Sequence, residues 1–292
     1  MRLPFREPLL PDNLFGHLAA TGVPGVEEWR DGAYRRTMRL PGGPGIVALR
    51  PAPSDIAASL TLTDARDCDE AVARCRRLLD LDADPTAIDA ALGEDGVLGP
   101  LVRAAPGRRV PRTVDEAELA LRAVLGQQDS TAAARTHAGR IVGAIGEEIS
   151  DPAGGLTHLF PTPDAVAHSD PSQLALPHSR RRTLLELASS LATGQVDLGP
   201  GADRDAARAG LIALPGIGPW TVETIAMRAL GDPDAFLATD LGIRAAALAL
   251  GLPTAARALL ERSRGWQPWR AYAIQHLWAV LPHPINHLPT VS

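Results

Sequence analysis

The sequence predicts a mainly α protein with an α+β N-terminal domain, in which an antiparallel sheet plus helices is followed by two helical subdomains. Three observations predict it. Runs of strand character, separated by Gly and Pro turns, are confined to residues 34–62. Beyond Asp84 the apolar residues recur at helical spacing. Glycines such as Gly146, Gly194, Gly251 and Gly265 punctuate that second region where helices would end.

In chain order, a helix is expected over Pro11–Thr21. Strands follow at Tyr34–Leu40, Gly45–Arg50 and Ala57–Leu62, then a helix over Cys68–Leu79. Thr113-Val114-Asp115-Glu116 has the form of a capping box and opens a helix through Leu125, with Ala117, Leu121, Val124 and Leu125 on one face. Further helices are expected at Ser130–Ile145, Thr162–Ser169, Ser179–Thr193, Asp203–Ala213 and Pro219–Leu230. Three more are expected at Asp240–Leu250, Thr254–Arg264 and Pro268–Val280. Linkers rich in Pro and Gly lie near Ala104–Arg112 and Asp151–Thr162. The expected units are 1–85, then 112–230, then 86–111 together with 231–292, with a cleft between the two helical subdomains.

Composition excludes several classes. The 292 residues are 45% hydrophobic and only 22% charged, a globular balance rather than a disordered one. No apolar run approaches the roughly 20 residues of a membrane span, so no membrane association is expected. Met1 to Glu7 shows no apolar signal core, so the expected location is intracellular, in the cytoplasm. Cys68 and Cys75 fall two turns apart on one helix face, too far for a disulfide, and two cysteines cannot build a four-cysteine iron–sulfur cluster. The net charge of −5 argues against nucleic-acid binding if read alone. The field that matters is local, however, and the arginines cluster at 35–36, 108–109, 180–182, 262, 264 and 270. Either these clusters are solvated faces or some of them meet an anion. All 29 basic residues are arginine.

Leu214-Pro215-Gly216-Ile217-Gly218-Pro219-Trp220 places two glycines around one apolar residue, at the seam between two helical patterns. Such a turn frees N–H groups at a helix N-terminus, where an anion such as a phosphate is held. It lacks the Lys-Ser/Thr ending of a nucleotide-binding P-loop and any preceding strand. This is the form of the hairpin in a helix-hairpin-helix motif, which grips the sugar-phosphate backbone of DNA.

An enzyme acting on a base inside duplex DNA extrudes it, plugs the gap and houses it in a pocket. Leu125 sits where a helix gives way to the turn Gly126-Gln127-Gln128, either as core or as a wedge between base pairs. Trp220, Trp269 and Trp278 are core or stacking surfaces for a cationic base. Asp240, twenty residues after Trp220, reads as a helix N-cap. A carboxylate there also suits an oxocarbenium-like transition state and the orientation of water.

These segments together resemble the helix-hairpin-helix DNA glycosylases of the bacterial 3-methyladenine DNA glycosylase II type. The matching stretches are Leu119–Ser130, Leu214–Thr221, Phe236–Arg244 and Pro268–Trp278, and Leu3–Glu27 resembles that family's extra N-terminal domain. The resemblance implies catalysis by Asp240, intercalation by Leu125, and pocket walls from Trp220 and Trp278. It implies contacts to the DNA backbone from Gly216, Gly218, Thr221 and Gln127. It also implies a structural Na+ or K+ on the carbonyls of Ile212, Leu214 and Ile217, with no required cofactor. Bifunctional relatives carry a lysine where Trp220 stands, and that amine forms a Schiff base with the sugar. With no lysine anywhere, a monofunctional, water-using and monomeric glycosylase acting on damaged double-stranded DNA is expected.

The pocket departs from the family pattern. Thr224 stands where a tyrosine is expected, Leu241 and Gly242 replace a tyrosine and a larger aliphatic residue, and His17 occupies an aromatic position. A roomier pocket is therefore expected. The expected lesions are alkylated purines of the 3-methyladenine and 7-methylguanine type. The alternatives are another lesion (a bulky alkyl adduct, hypoxanthine or uracil) and a non-catalytic damage-binding protein.

Overall fold

The structure, a computed structural model, describes residues 1–174 and 176–290. The chain opens with β1 (Arg2–Pro4), α1 (Asp12–Thr21), β2 (Glu27–Arg30), β3 (Ala33–Leu40), β4 (Gly43–Pro51), β5 (Asp55–Leu62) and α2 (Cys68–Leu78). The strands form one antiparallel sheet in the order β1-β5-β4-β3-β2. The three central strands were legible as runs of strand character between Gly and Pro turns. The outer two, of three and four residues, are too short to show a period and form because each has a paired edge to join: Leu3 opposite Ile56, Trp29 opposite Tyr34.

The helical region comprises α3 (Pro85–Gly93), α4 (Leu98–Ala104), α5 (Glu116–Leu125), α6 (Thr131–Ile145), α7 (Pro163–Ala167), α8 (His178–Ala192) and α9 (Arg204–Ile212). It continues with α10 (Pro219–Arg228), α11 (Leu241–Ala249), α12 (Ala256–Arg262) and α13 (Arg270–Trp278). A two-stranded ribbon, β6 (Glu147–Glu148) with β7 (His158–Leu159), interrupts it. Side-chain caps set the helix starts: Ser130, Thr162, Asp203 and Asp240 each accept an N–H from the first turn. The cap of α5 is Asp115, which accepts the N–H of Glu118, and not Thr113 as the capping-box pattern suggests. Thr113 instead closes a turn on the backbone of Asp115.

Three apolar cores result. One lies under the sheet and includes Phe15, Tyr34, Leu49, Ile56 and Leu78. A second joins α5, α6, α8, α9 and α10 through Leu121, Val142, Leu187, Leu211 and Ile225. The third gathers α3, α4, α11 and α13 around Trp266, with Leu92, Ile243 and Ile274. Met227 and Ala226 of α10 belong to this third core while Ile225 belongs to the second, so α10 is shared between them.

β3 has both faces covered. Arg35, Thr37 and Arg39 meet the segment around β6 and β7: Arg35 reaches Asp151 at 2.8 Å, Thr37 Oγ1 donates to the His158 carbonyl at 2.9 Å, and Arg39 reaches Glu147 at 2.5 Å. The Pro- and Gly-rich stretch after Asp151 thus covers the sheet rather than serving only as a linker. Arg36, on the alternate face, donates to Glu118 of α5 at 2.7 Å and reaches Glu27 at 3.4 Å. Arg122 reaches Glu118 at 2.7 Å and Glu27 at 2.9 Å. Of the arginine clusters, 35–36 and Arg109 are therefore buried structural cations rather than surface charge. Both cysteines are free, Cys75 buried in the first core.

The chain's last described segment returns to α1. Gly16 lets it in: a Cβ there would stand 2.3 Å from the His287 carbonyl oxygen. Asn286 Nδ2 donates to the carbonyl of Trp278 at 2.9 Å. These contacts bring α1, and His17 on it, beside the end of α13. Among the described residues no helix is long and apolar enough to cross a membrane.

Candidate active site

Asp240 is the N-cap of α11, its Oδ1 accepting the N–H of Ile243 at 2.9 Å. The same oxygen accepts Trp278 Nε1–H at 3.0 Å, and Oδ2 accepts Trp220 Nε1–H at 2.9 Å. Three N–H donors thus stabilise the carboxylate's negative charge, at a helix end whose dipole acts in the same sense. The two indoles come from different elements, the first turn of α10 and the last residue of α13. Trp220 is placed by the hairpin that precedes it, and Trp278 by the third core.

A cavity of about 540 Å³ opens beside this carboxylate. Its lining includes Asp240, Trp220, Trp278, Thr224, Gly242 and His17, a volume suited to one small planar ligand. Thr224 Oγ1 donates to the Trp220 carbonyl at 2.7 Å and so presents no free donor. Gly242 is packed as well as small: a Cβ there would meet Asp240 Oδ1 at 3.2 Å and Trp278 Cδ1 at 3.3 Å. Trp269 stands apart, in an edge contact with Tyr272 and packed on the third core. Leu241 is a correction. It is 78% exposed on the first turn of α11 and lines no part of the cavity, because the cap turns the next side chain away from the carboxylate.

His17 Nε2 contacts a guanidinium nitrogen of Arg228. Burial, then the charge of Arg228, then Arg122 and His283, hold its pKa well below the ordinary imidazole value, so the ring is neutral and accepts. Arg228 was not foreseen. In Ala-Met-Arg at the end of α10 it reads as the usual basic residue of a last helical turn, and only the fold turns it onto the cavity wall.

The hairpin between α9 and α10 has Gly216 at φ +84°, where a Cβ would stand 2.0 Å from Thr183 Oγ1, so both conformation and space require glycine. Gly218 is different. A Cβ there would meet no atom within 4 Å, and Gly218, the N-cap of α10, supplies no side-chain cap. The N–H groups of Trp220 and Thr221 in the first turn of α10 have no hydrogen-bond partner among the described residues, the arrangement that accepts a phosphate oxygen. Thr221 is 2% exposed and its hydroxyl accepts Gln127 Nε2–H at 2.9 Å. Gln127 also donates to the Gly216 carbonyl at 3.1 Å. Its amide, and the Thr221 hydroxyl, thus brace the hairpin.

Leu125 is a second correction. It is 1% exposed in the core shared with Leu121 and Val124, and the i, i+3, i+4 stripe that contains it is the physical reason. The exposed residue of this turn is Gln128, at φ +57°. One sequence signal pointed there: with Ser130 capping α6, the residue projecting from the turn falls between Gly126 and that cap.

The hairpin carbonyls expected to hold a cation are largely unpaired. Those of Ile212 and Ile217 accept no hydrogen bond among the described residues, and Leu214 accepts one from Ile217 N–H at 3.2 Å. Free carbonyl oxygens on hard dipoles fit a monovalent cation. No cluster of three His, Cys, Asp or Glu fit to hold a metal ion occurs among the described residues.

One substitution tests the carboxylate's support. Trp220→Phe keeps a ring in the wall but removes a donor to a charged group, an interaction of about 1.5–3 kcal/mol. The expected result is about a ten-fold or larger fall in single-turnover rate with little change in thermal melting. An unchanged rate would mean the indole N–H does not matter.

Residues 1–115 match the family described as the AlkA N-terminal domain. The chain is 32% identical to DNA-3-methyladenine glycosylase 2 of Escherichia coli over 270 residues, 91% of this chain and 92% of that protein. It is 59% identical over 289 residues to a Mycobacterium tuberculosis protein described as a probable bifunctional transcriptional activator/DNA repair enzyme, and spans 58% of that protein's length. Among solved structures it is similar to a 3-methyladenine DNA glycosylase from Archaeoglobus fulgidus, with a TM-score of 0.83 and 23% identity. That match covers 95% of this chain and 97% of the other.

Proposed function

Because this chain belongs to the helix-hairpin-helix DNA glycosylases of the 3-methyladenine DNA glycosylase II type, we propose that it is a monofunctional, monomeric enzyme of base-excision repair. It flips an alkylated purine of the 3-methyladenine or 7-methylguanine type out of damaged double-stranded DNA and hydrolyses its N-glycosidic bond, leaving an abasic site. The observation that carries this reading is a carboxylate held by both indole N–H groups of the cavity's aromatic wall.

In this reading the first turn of α10 binds a backbone phosphate and Gln128 enters the stack as the base leaves it. The Trp220 and Trp278 rings receive the base, and a cationic alkylated purine gains from an indole face. Asp240 then stabilises the positive charge that develops on the sugar as the bond lengthens and orients the water that adds to the anomeric carbon. A Na+ or K+ on the hairpin carbonyls, when bound, would supply fixed positive charge beside the phosphate.

The product tests the reading. Incubation with methylated duplex DNA is expected to release free 3-methyladenine and 7-methylguanine, resolved by chromatography. The strand is expected to stay intact until hot alkali is added, since no lysine is present to attack the sugar. Strand cleavage by the protein alone would remove the monofunctional assignment; the absence of any released base would remove the glycosylase assignment.

A further inference from the structure

Arg228 lines the same cavity as Asp240, Trp220 and Trp278 and is 9% exposed. Buried Arg35 and Arg36 meet carboxylates, of Asp151 and Glu118, and buried Arg109 donates to the carbonyls of Ala83, Arg6 and Pro8. Among the described residues no carboxylate oxygen lies within 4.0 Å of an Arg228 nitrogen. Its neighbours are the neutral His17 and the face of Trp278, whose ring centroid is 5.7 Å from Cζ. Its Nε is buried without a hydrogen-bond partner. Burial, then the charge of Arg122, lowers its pKa to about 10 against the opposing pull of Asp240, so it is cationic at neutral pH. The cavity therefore holds a fixed positive charge with no counter-charge in contact.

That charge bears on how the base departs. Heterolysis of the glycosidic bond leaves the electron pair on the base nitrogen. A cationic alkylated purine leaves as a neutral molecule. An uncharged purine leaves as an anion, and takes up the proton released when water forms its bond to the anomeric carbon. A guanidinium beside the base disfavours a bound cation and stabilises a departing anion. Asp240, on the sugar side, stabilises the opposite charge, so the two groups polarise the bond in the same direction.

We propose that Arg228 is a specificity-determining residue: its charge tilts the pocket from cationic toward uncharged purines by stabilising the anionic leaving group. This rests on the glycosylase reading above. The test uses the full chain with single-lesion duplexes, hypoxanthine as the uncharged purine and 7-methylguanine as the cationic one, in single-turnover base release. Arg228→Met is expected to lower the ratio of hypoxanthine to 7-methylguanine rates at least ten-fold, and Arg228→Lys to restore most of it. Should the methionine variant fail to fold, Arg228→Gln carries the same comparison. A parallel loss of both activities with an unchanged ratio would assign Arg228 a structural role and overturn the proposal. Wild-type release of 7-methylguanine without hypoxanthine would also overturn it while leaving the alkylpurine reading intact. Release of neither base would overturn both.

Discussion

Asp240→Asn is expected to lower release of 3-methyladenine and 7-methylguanine by about 10²–10³-fold, the scale on which one preorganised electrostatic group acts. Folding should be spared, because asparagine caps a helix as well as aspartate does and its carbonyl still accepts the Ile243 N–H. The charge is lost, and the new amide N–H group faces one of the two indole donors that now point at Oδ1 and Oδ2. Binding to a duplex holding an abasic-site analogue should stay within a few-fold, since the hairpin is untouched. Base release at the wild-type rate would remove Asp240 from the mechanism.

The second large effect is on stability. Arg36→Met is expected to destabilise the protein by about 3–5 kcal/mol, the cost of breaking a buried ion pair from one side. Glu27 and Glu118 are 3% and 5% exposed, and removing Arg36 leaves Arg122 as the one guanidinium shared between them. Because Arg36 lies on β3 and Glu118 on α5, the loss falls on the junction between the sheet and the helices. Urea unfolding measures it; a change under about 1 kcal/mol would show that Arg122 alone neutralises the pair.

The legible parts of the sequence were those governed by local rules. Asp203, Ser130 and Asp240 cap helices because their side chains reach a neighbouring N–H within three residues, and β3 to β5 are runs of eight or nine residues set off by Gly and Pro turns. Local rules also explain one misreading: the apolar stripe that includes Leu121 and Val124 claims Leu125 for the core. What stayed hidden depends on contacts distant in sequence. Arg228 meets His17 across 211 positions, and Gln127 meets Gly216 across 89. The short β1 has no sequence signature because its partner, β5, lies more than fifty residues away. Gly216 and Gly218 look equivalent in sequence, yet the fold requires only the first.

The bonds from both indoles to Asp240 constrain how this pocket changes under selection. Replacing either tryptophan to admit a larger base also frees the carboxylate, so breadth gained at the wall is charged against rate. Variation that leaves Asp240 held is confined to positions such as Thr224, whose hydroxyl bonds only to its own helix. Libraries that vary Thr224 with both tryptophans fixed should therefore yield altered lesion preference at near-parental rates, whereas libraries at Trp220 or Trp278 should yield mostly slow enzymes.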